Sequence, residues 1–193
     1  MAGDQNDAAQ GEILKGLVAG IIAGFVASAV MNKFQQSFGR FITGEERSHG
    51  AQSLQTGTPD HGVGRKLSEL GVEDPRDDSA ERLANAVSVG AFDHNLSEKE
   101  KNAAGTALHY GYGVSMGAFY GAAAEMVPVV TTGLGVPYGV AIWLGADEGI
   151  VPLLGLSKSA SEYPFPVLAA AFASHLVYGL TLEAVRLSVR NTL

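Results

Sequence analysis

Asp147 and Glu148 stand side by side inside an apolar run, residues 129–156, and are the first residues in this chain that could do chemistry. An acidic side chain at the centre of a membrane-crossing helix costs roughly 2.5–3.5 kcal/mol, so it normally faces a bundle interior or a wet cavity. There it can bind a proton or a cation. No Lys or Arg occurs from residue 102 to 157, which leaves the pair no cationic neighbour in sequence. Partners on other segments are His109, His175 and Arg186. Consecutive helical residues point about 100° apart, so the two carboxylates do not face one spot. In a competing reading Pro152 marks a membrane exit and the pair lies among headgroups. The sequence leaves both open.

His109 and His175 each precede a tyrosine by three residues, Tyr112 and Tyr178, which puts imidazole and phenol on one helical face. Such pairs can serve as interhelical hydrogen bonds or as a proton relay with Glu125 or Asp147. Two histidines on two helices could also ligate a haem or chlorophyll. The proton or cation candidates are thus Asp147, Glu148, His109, His175, Glu125, Tyr112 and Tyr178. Glu125, one turn before Pro128, is expected at an interface, and Glu183, three residues before Arg186, in a surface ion pair. His49, His61 and His94 read as solvated loop residues. No nucleophile elbow, P-loop, dinucleotide fingerprint or His-Glu-x-x-His occurs. Zero cysteines exclude disulfides, iron–sulfur clusters and thiol zinc sites. The expectation is a protein that is not an enzyme, with no metal and no cofactor.

The elements that would hold these residues are apolar and rich in glycine, 25 of 193 residues, about twice the usual ~7%. Four transmembrane helices are expected, over about 13–31, 103–127, 134–156 and 165–186, in a single membrane domain 1–193. Gly16, Gly20 and Gly24, continued by Ser28, form one row with a step of four, and Gly113, Gly117 and Gly121 form another. Rows of this glycine-zipper kind let helices approach closely in lipid. Gly149 and Pro152 weaken the third helix just after the acidic pair. His109-x-x-Tyr-Gly113 and His175-x-x-Tyr-Gly179 form an internal echo.

A polar connector spans 43–102, with 12 acidic and 9 basic residues between Lys33 and Lys101. It should be irregular, apart from a short helix near 64–70 and amphipathic interfacial helices. Capping patterns Asp78-x-x-Glu81 and Ser97-x-x-Glu100 open two helices. Phe34, Phe38, Phe41 and Ile42 extend the first helix along the interface. The N-terminus lacks the basic region of a secretory signal, so the first helix is expected to be retained although Ala27-Ser28-Ala29 looks like a cleavage site. Net charge of −7 argues against nucleic acid. The fold class is all-α, a polytopic membrane helix bundle.

Several strings resemble the YagU-like bacterial inner-membrane proteins, a family of unassigned biochemical function. They are Gly16 to Gly20 with Ala29 to Met31, His109 to Gly113 with Phe119-Tyr-Gly121 and Glu125, Gly139 to Trp143, Asp147-Glu148 to Gly155, and His175 to Gly179. The resemblance spans most of the chain. It implies a small multi-pass protein of the bacterial inner (cytoplasmic) membrane, loosely associated with acid tolerance, and supplies no catalytic residues. The expected partners are the lipid bilayer and either further copies of the chain or a larger membrane complex. Proton or cation handling, an accessory role in such a complex, and haem or chlorophyll binding stay open.

Overall fold

Every regular element among the described residues is helical, in a computed structural model that describes the backbone of residues 2–43 and 54–193 and the side chains of 9–38 and 54–193. The helices are α1 (Ala2–Thr43), α2 (Gly62–Glu69), α3 (Ser79–Phe92), α4 (Glu98–Met126), α5 (Val136–Ile142), α6 (Val151–Leu153) and α7 (Phe165–Arg190). A π-helix, Trp143–Ile150, joins α5 to α6. The side chains of Phe41 and Ile42, and all of His49, lie outside the described residues.

Among the described residues two helices, not the expected four, are long and apolar enough to cross a membrane: α1 over Ala9–Phe38, and α7. α4 has the length, but glycine, tyrosine and histidine replace the aliphatic residues a span needs. The third segment is not one α-helix. Pro152 has no N–H, and its ring excludes the carbonyl four residues back, at Glu148. The chain widens into π geometry before it, and α6 ends after three residues.

The chain divides into two compact units. The first comprises residues 1–31, 110–140 and 175–193. Here the two glycine rows meet. A Cβ on Gly24 would lie 2.6 Å from the Gly113 carbonyl oxygen, one on Gly16 would lie 2.5 Å from that of Gly121, and one on Gly20 would collide with that of Gly117. Only a hydrogen fits at these crossings. Ala19, Ala23 and Ala27 complete the buried stripe of α1. A second contact of this kind joins Gly135 and Gly139 to the backbone of α7 at Gly179 and His175.

The second unit comprises residues 32–109 and 141–174. Its polar segment carries a short helix, α2, and the capped helix α3 between irregular stretches, and buried charge organises it. Arg82 is fully buried on α3 and pairs with Glu73 at 3.0 Å. It also donates to the backbone carbonyls of Asp77 at 3.0 Å, Gly57 at 3.2 Å, and Leu156. Lys101 at the start of α4 pairs with Asp77 at 2.7 Å, both nearly buried. Asp78 and Glu81 form the reciprocal cap that the sequence predicts, and burial beside the Asp78 carboxylate pushes Glu81 up to about 7. Ser97 and Glu100 likewise bond to each other at the start of α4.

Candidate functional site

Asp147 and Glu148 project from the π-helix of the second unit, and both are half-buried rather than enclosed. π-Helical geometry is rare, and where it interrupts α-helices it is frequently found at functional sites. Gln55, itself buried, reaches Oε1 of Glu148 with its amide nitrogen at 3.5 Å, so the segment entering α2 passes over this carboxylate. Trp143, at the start of the same turn, stands edge-on to Phe172 of α7 with ring centroids 5.0 Å apart. The arrangement places two half-buried carboxylates next to each other on one turn of an otherwise apolar helix. That can bind and release protons. Among the described residues no three His, Asp or Glu side chains converge as metal ligands.

The other candidates are dispersed. His109, half-buried, belongs to the second unit; His175, buried, belongs to the first, with Glu125, Tyr112 and Tyr178. Tyr178 is buried, and its hydroxyl donates to the carbonyl of Gly113 at 2.6 Å, so the tyrosine of the second His-x-x-Tyr-Gly motif bonds to the glycine of the first. Tyr112 is exposed. Within α4 the imidazole and phenol of the first motif therefore differ in environment, although they share a spacing.

Glu183 departs from its expected setting. Glu183 and Arg186 are not a surface pair: their side chains are 3% and 6% exposed and joined by two hydrogen bonds of 2.7 and 2.8 Å. The forked guanidinium on a carboxylate is the strong form of this bond. Glu125 accepts from Nε of Arg190 at 2.8 Å and lies 3.8 Å from Arg186. Arg190 also pairs with Glu12 on α1, and Lys15 lies 3.4 Å from that carboxylate. The ring of Tyr120, fully buried, lies 5.9 Å beneath the Arg186 guanidinium. Gly16 leaves the space into which the Glu125 side chain folds. Three carboxylates and three cations thus tie α1, α4 and α7 together. Sequence spacing alone gave only the pair within α7; the partners on α1 and α4 lie too far along the chain to be read.

A family model described as a protein of unknown function, DUF1440, matches residues 58–184, about two thirds of the chain. The chain belongs to the DUF1440 family. No curated protein and no solved structure matches it. The DUF1440 match takes in Arg82, Asp147, Glu148 and both His-x-x-Tyr-Gly motifs, and it leaves out the glycine row of α1.

Proposed function

We propose that this DUF1440 member is a bacterial inner-membrane protein, not an enzyme, that binds and passes protons at the Asp147–Glu148 turn. The observation that carries the reading is the turn itself: two half-buried carboxylates on a π-helix, in a stretch without Lys or Arg, with Gln55 laid over one of them.

Membrane residence is supported by an inversion of the usual burial pattern. Glu183 and Arg186 are buried, whereas Phe25, Phe119 and Leu187 stand out at 56%, 66% and 42% exposure. Intramembrane charges face protein, and apolar side chains face lipid. The most apolar stretches of α1 and α7 are only 39% and 33% buried, too little for the core helices of a soluble domain. The resemblance to YagU-like inner-membrane proteins points the same way, and with it the association with acid tolerance.

The test is proton flux into liposomes carrying the purified protein, followed with an internal pH dye under an imposed gradient. Wild type should exceed protein-free liposomes, and the variant combining Asp147→Asn and Glu148→Gln should fall to that background. Trp143 fluorescence reports that the turn stays folded. Equal flux in wild type and variant, or none in wild type, refutes the reading and leaves the accessory role.

A further inference from the structure

His61 stands immediately before α2, in extended backbone, with both ring nitrogens engaged. Nδ1 lies 3.0 Å from Oδ1 of Asp60, and Nε2 lies 2.8 Å from the carbonyl oxygen of Pro152. Neither partner can donate. A carbonyl carries no hydrogen, and an ionised carboxylate only accepts. The second lone pair of the Pro152 carbonyl is already taken by the Gly155 N–H at 2.8 Å. Two hydrogen bonds from this ring therefore require hydrogen on both nitrogens, the imidazolium form. A neutral ring has one N–H and must turn a bare nitrogen toward an oxygen.

We propose that His61 is a proton-operated latch: charged, it ties the start of α2 to the end of the helix that carries Asp147 and Glu148, and neutral, it releases that tie.

The two segments it joins are built to touch. Gly62 and Gly155 both have left-handed backbone, with φ of 55° and 69°, and a Cβ on either would collide with the backbone of the other segment. The first N–H groups of α2 have no side-chain cap. Val63 and Gly64 donate instead to the carbonyls of Leu154 at 3.0 Å and Gly155 at 2.8 Å. These bonds are neutral and do not titrate. His61 adds a contact whose strength depends on a proton, and with 45% of its side chain exposed it exchanges that proton with water.

The charged groups around it favour the cation. Asp60 is bonded to it, and Glu162 of the Ala160–Glu162 turn adds a second negative charge. Arg65, one turn into α2, acts on Asp60. The Asp60 carboxylate, followed by the Pro152 carbonyl, holds the imidazole above its ordinary value of 6.5. The sign follows: for a histidine raised on folding, the tie is complete below 6.5 and is lost as pH rises through the raised value. The latch is closed on the acid side and open on the alkaline side. It stands on this geometry alone and does not need Asp147 or Glu148 to carry protons.

Amide hydrogen exchange of the full chain in nanodiscs, read at Val63 and Gly64 as protection relative to intrinsic rates between about pH 5 and 8.5, tests it. Protection should fall several-fold across the titration of His61, followed in the same sample by its imidazole shifts. Asp60→Asn should move that step to lower pH, and His61→Gln should remove it. Protection that is flat with pH in wild type, or a step that survives His61→Gln, overturns the latch. Neither result bears on proton flux, so the two proposals fail separately.

Discussion

Arg82 carries a positive charge into a fully buried place, where one carboxylate and three carbonyls surround it. Glu73 supplies the opposite charge, and the backbone carbonyls of Gly57, Asp77 and Leu156 accept from the guanidinium as well. A charge in such a site is costly to strand: removing one partner of a buried pair typically costs about 3–5 kcal/mol, because the other remains uncompensated. Arg82→Met should therefore lower the thermal midpoint of the solubilised protein sharply. Adding Glu73→Met should restore part of that loss, since an apolar pair of similar size carries no stranded charge. If Arg82→Met melts with wild type, Arg82 does not hold this segment together. Nothing near Arg82 in sequence announces this role. Its acceptors are mostly backbone atoms, which any residue provides, and Leu156 lies 74 positions away. The reciprocal cap of Asp78 and Glu81, by contrast, was legible because both partners lie within one helical turn.

At the scale of elements, the crossing of α1 and α4 is set by what its glycines lack. At Gly20 even one methyl group would meet the backbone of α4, whereas at Gly111 on α4 it would meet nothing within 4 Å. Gly20→Ala should therefore destabilise the protein by roughly 1–3 kcal/mol through overpacking. Gly111→Ala should stabilise it by roughly 0.5–1 kcal/mol, because alanine loses less chain entropy in a helix. Melting both variants in one detergent checks the opposite signs, and a like response would mean that the crossing is not backbone-limited. The two rows were visible in the sequence as a period of four, but a period names a face and not the partner it meets. The approach of α5 to α7 is not legible in the sequence although Gly135 and Gly139 share that spacing, because two glycines do not make a row. The π-helix was half legible. Gly149 and Pro152 forecast a break, yet the form it took depends on how the chain re-pairs its carbonyls, which composition does not specify.

For the molecule as a whole, the decisive quantity is which medium covers its apolar surface. α1 turns Gly16, Ala19, Gly20, Ala23, Gly24 and Ala27 inward and leaves Ile21, Ile22 and Phe25 outside. α7 buries Glu183 and Arg186 and exposes Leu180 and Leu187. In water that arrangement would leave the larger hydrophobic contribution unused, since burying a leucine or phenylalanine side chain is worth about 1.5–3 kcal/mol. In lipid the same faces cost nothing, and small residues then provide the packing between helices. The sequence has no cysteine, so single spin labels can be placed without background. Labels at Phe25→Cys and Leu187→Cys should be relaxed by oxygen, which concentrates in acyl chains, and shielded from a water-soluble nickel complex. A label at Lys99→Cys, in the first turn of α4, should show the reverse. Nickel access at Phe25 equal to that at Lys99 would refute lipid contact. Spin–spin coupling between copies, with neither relaxant effective, would assign the same face to a second copy of the chain instead.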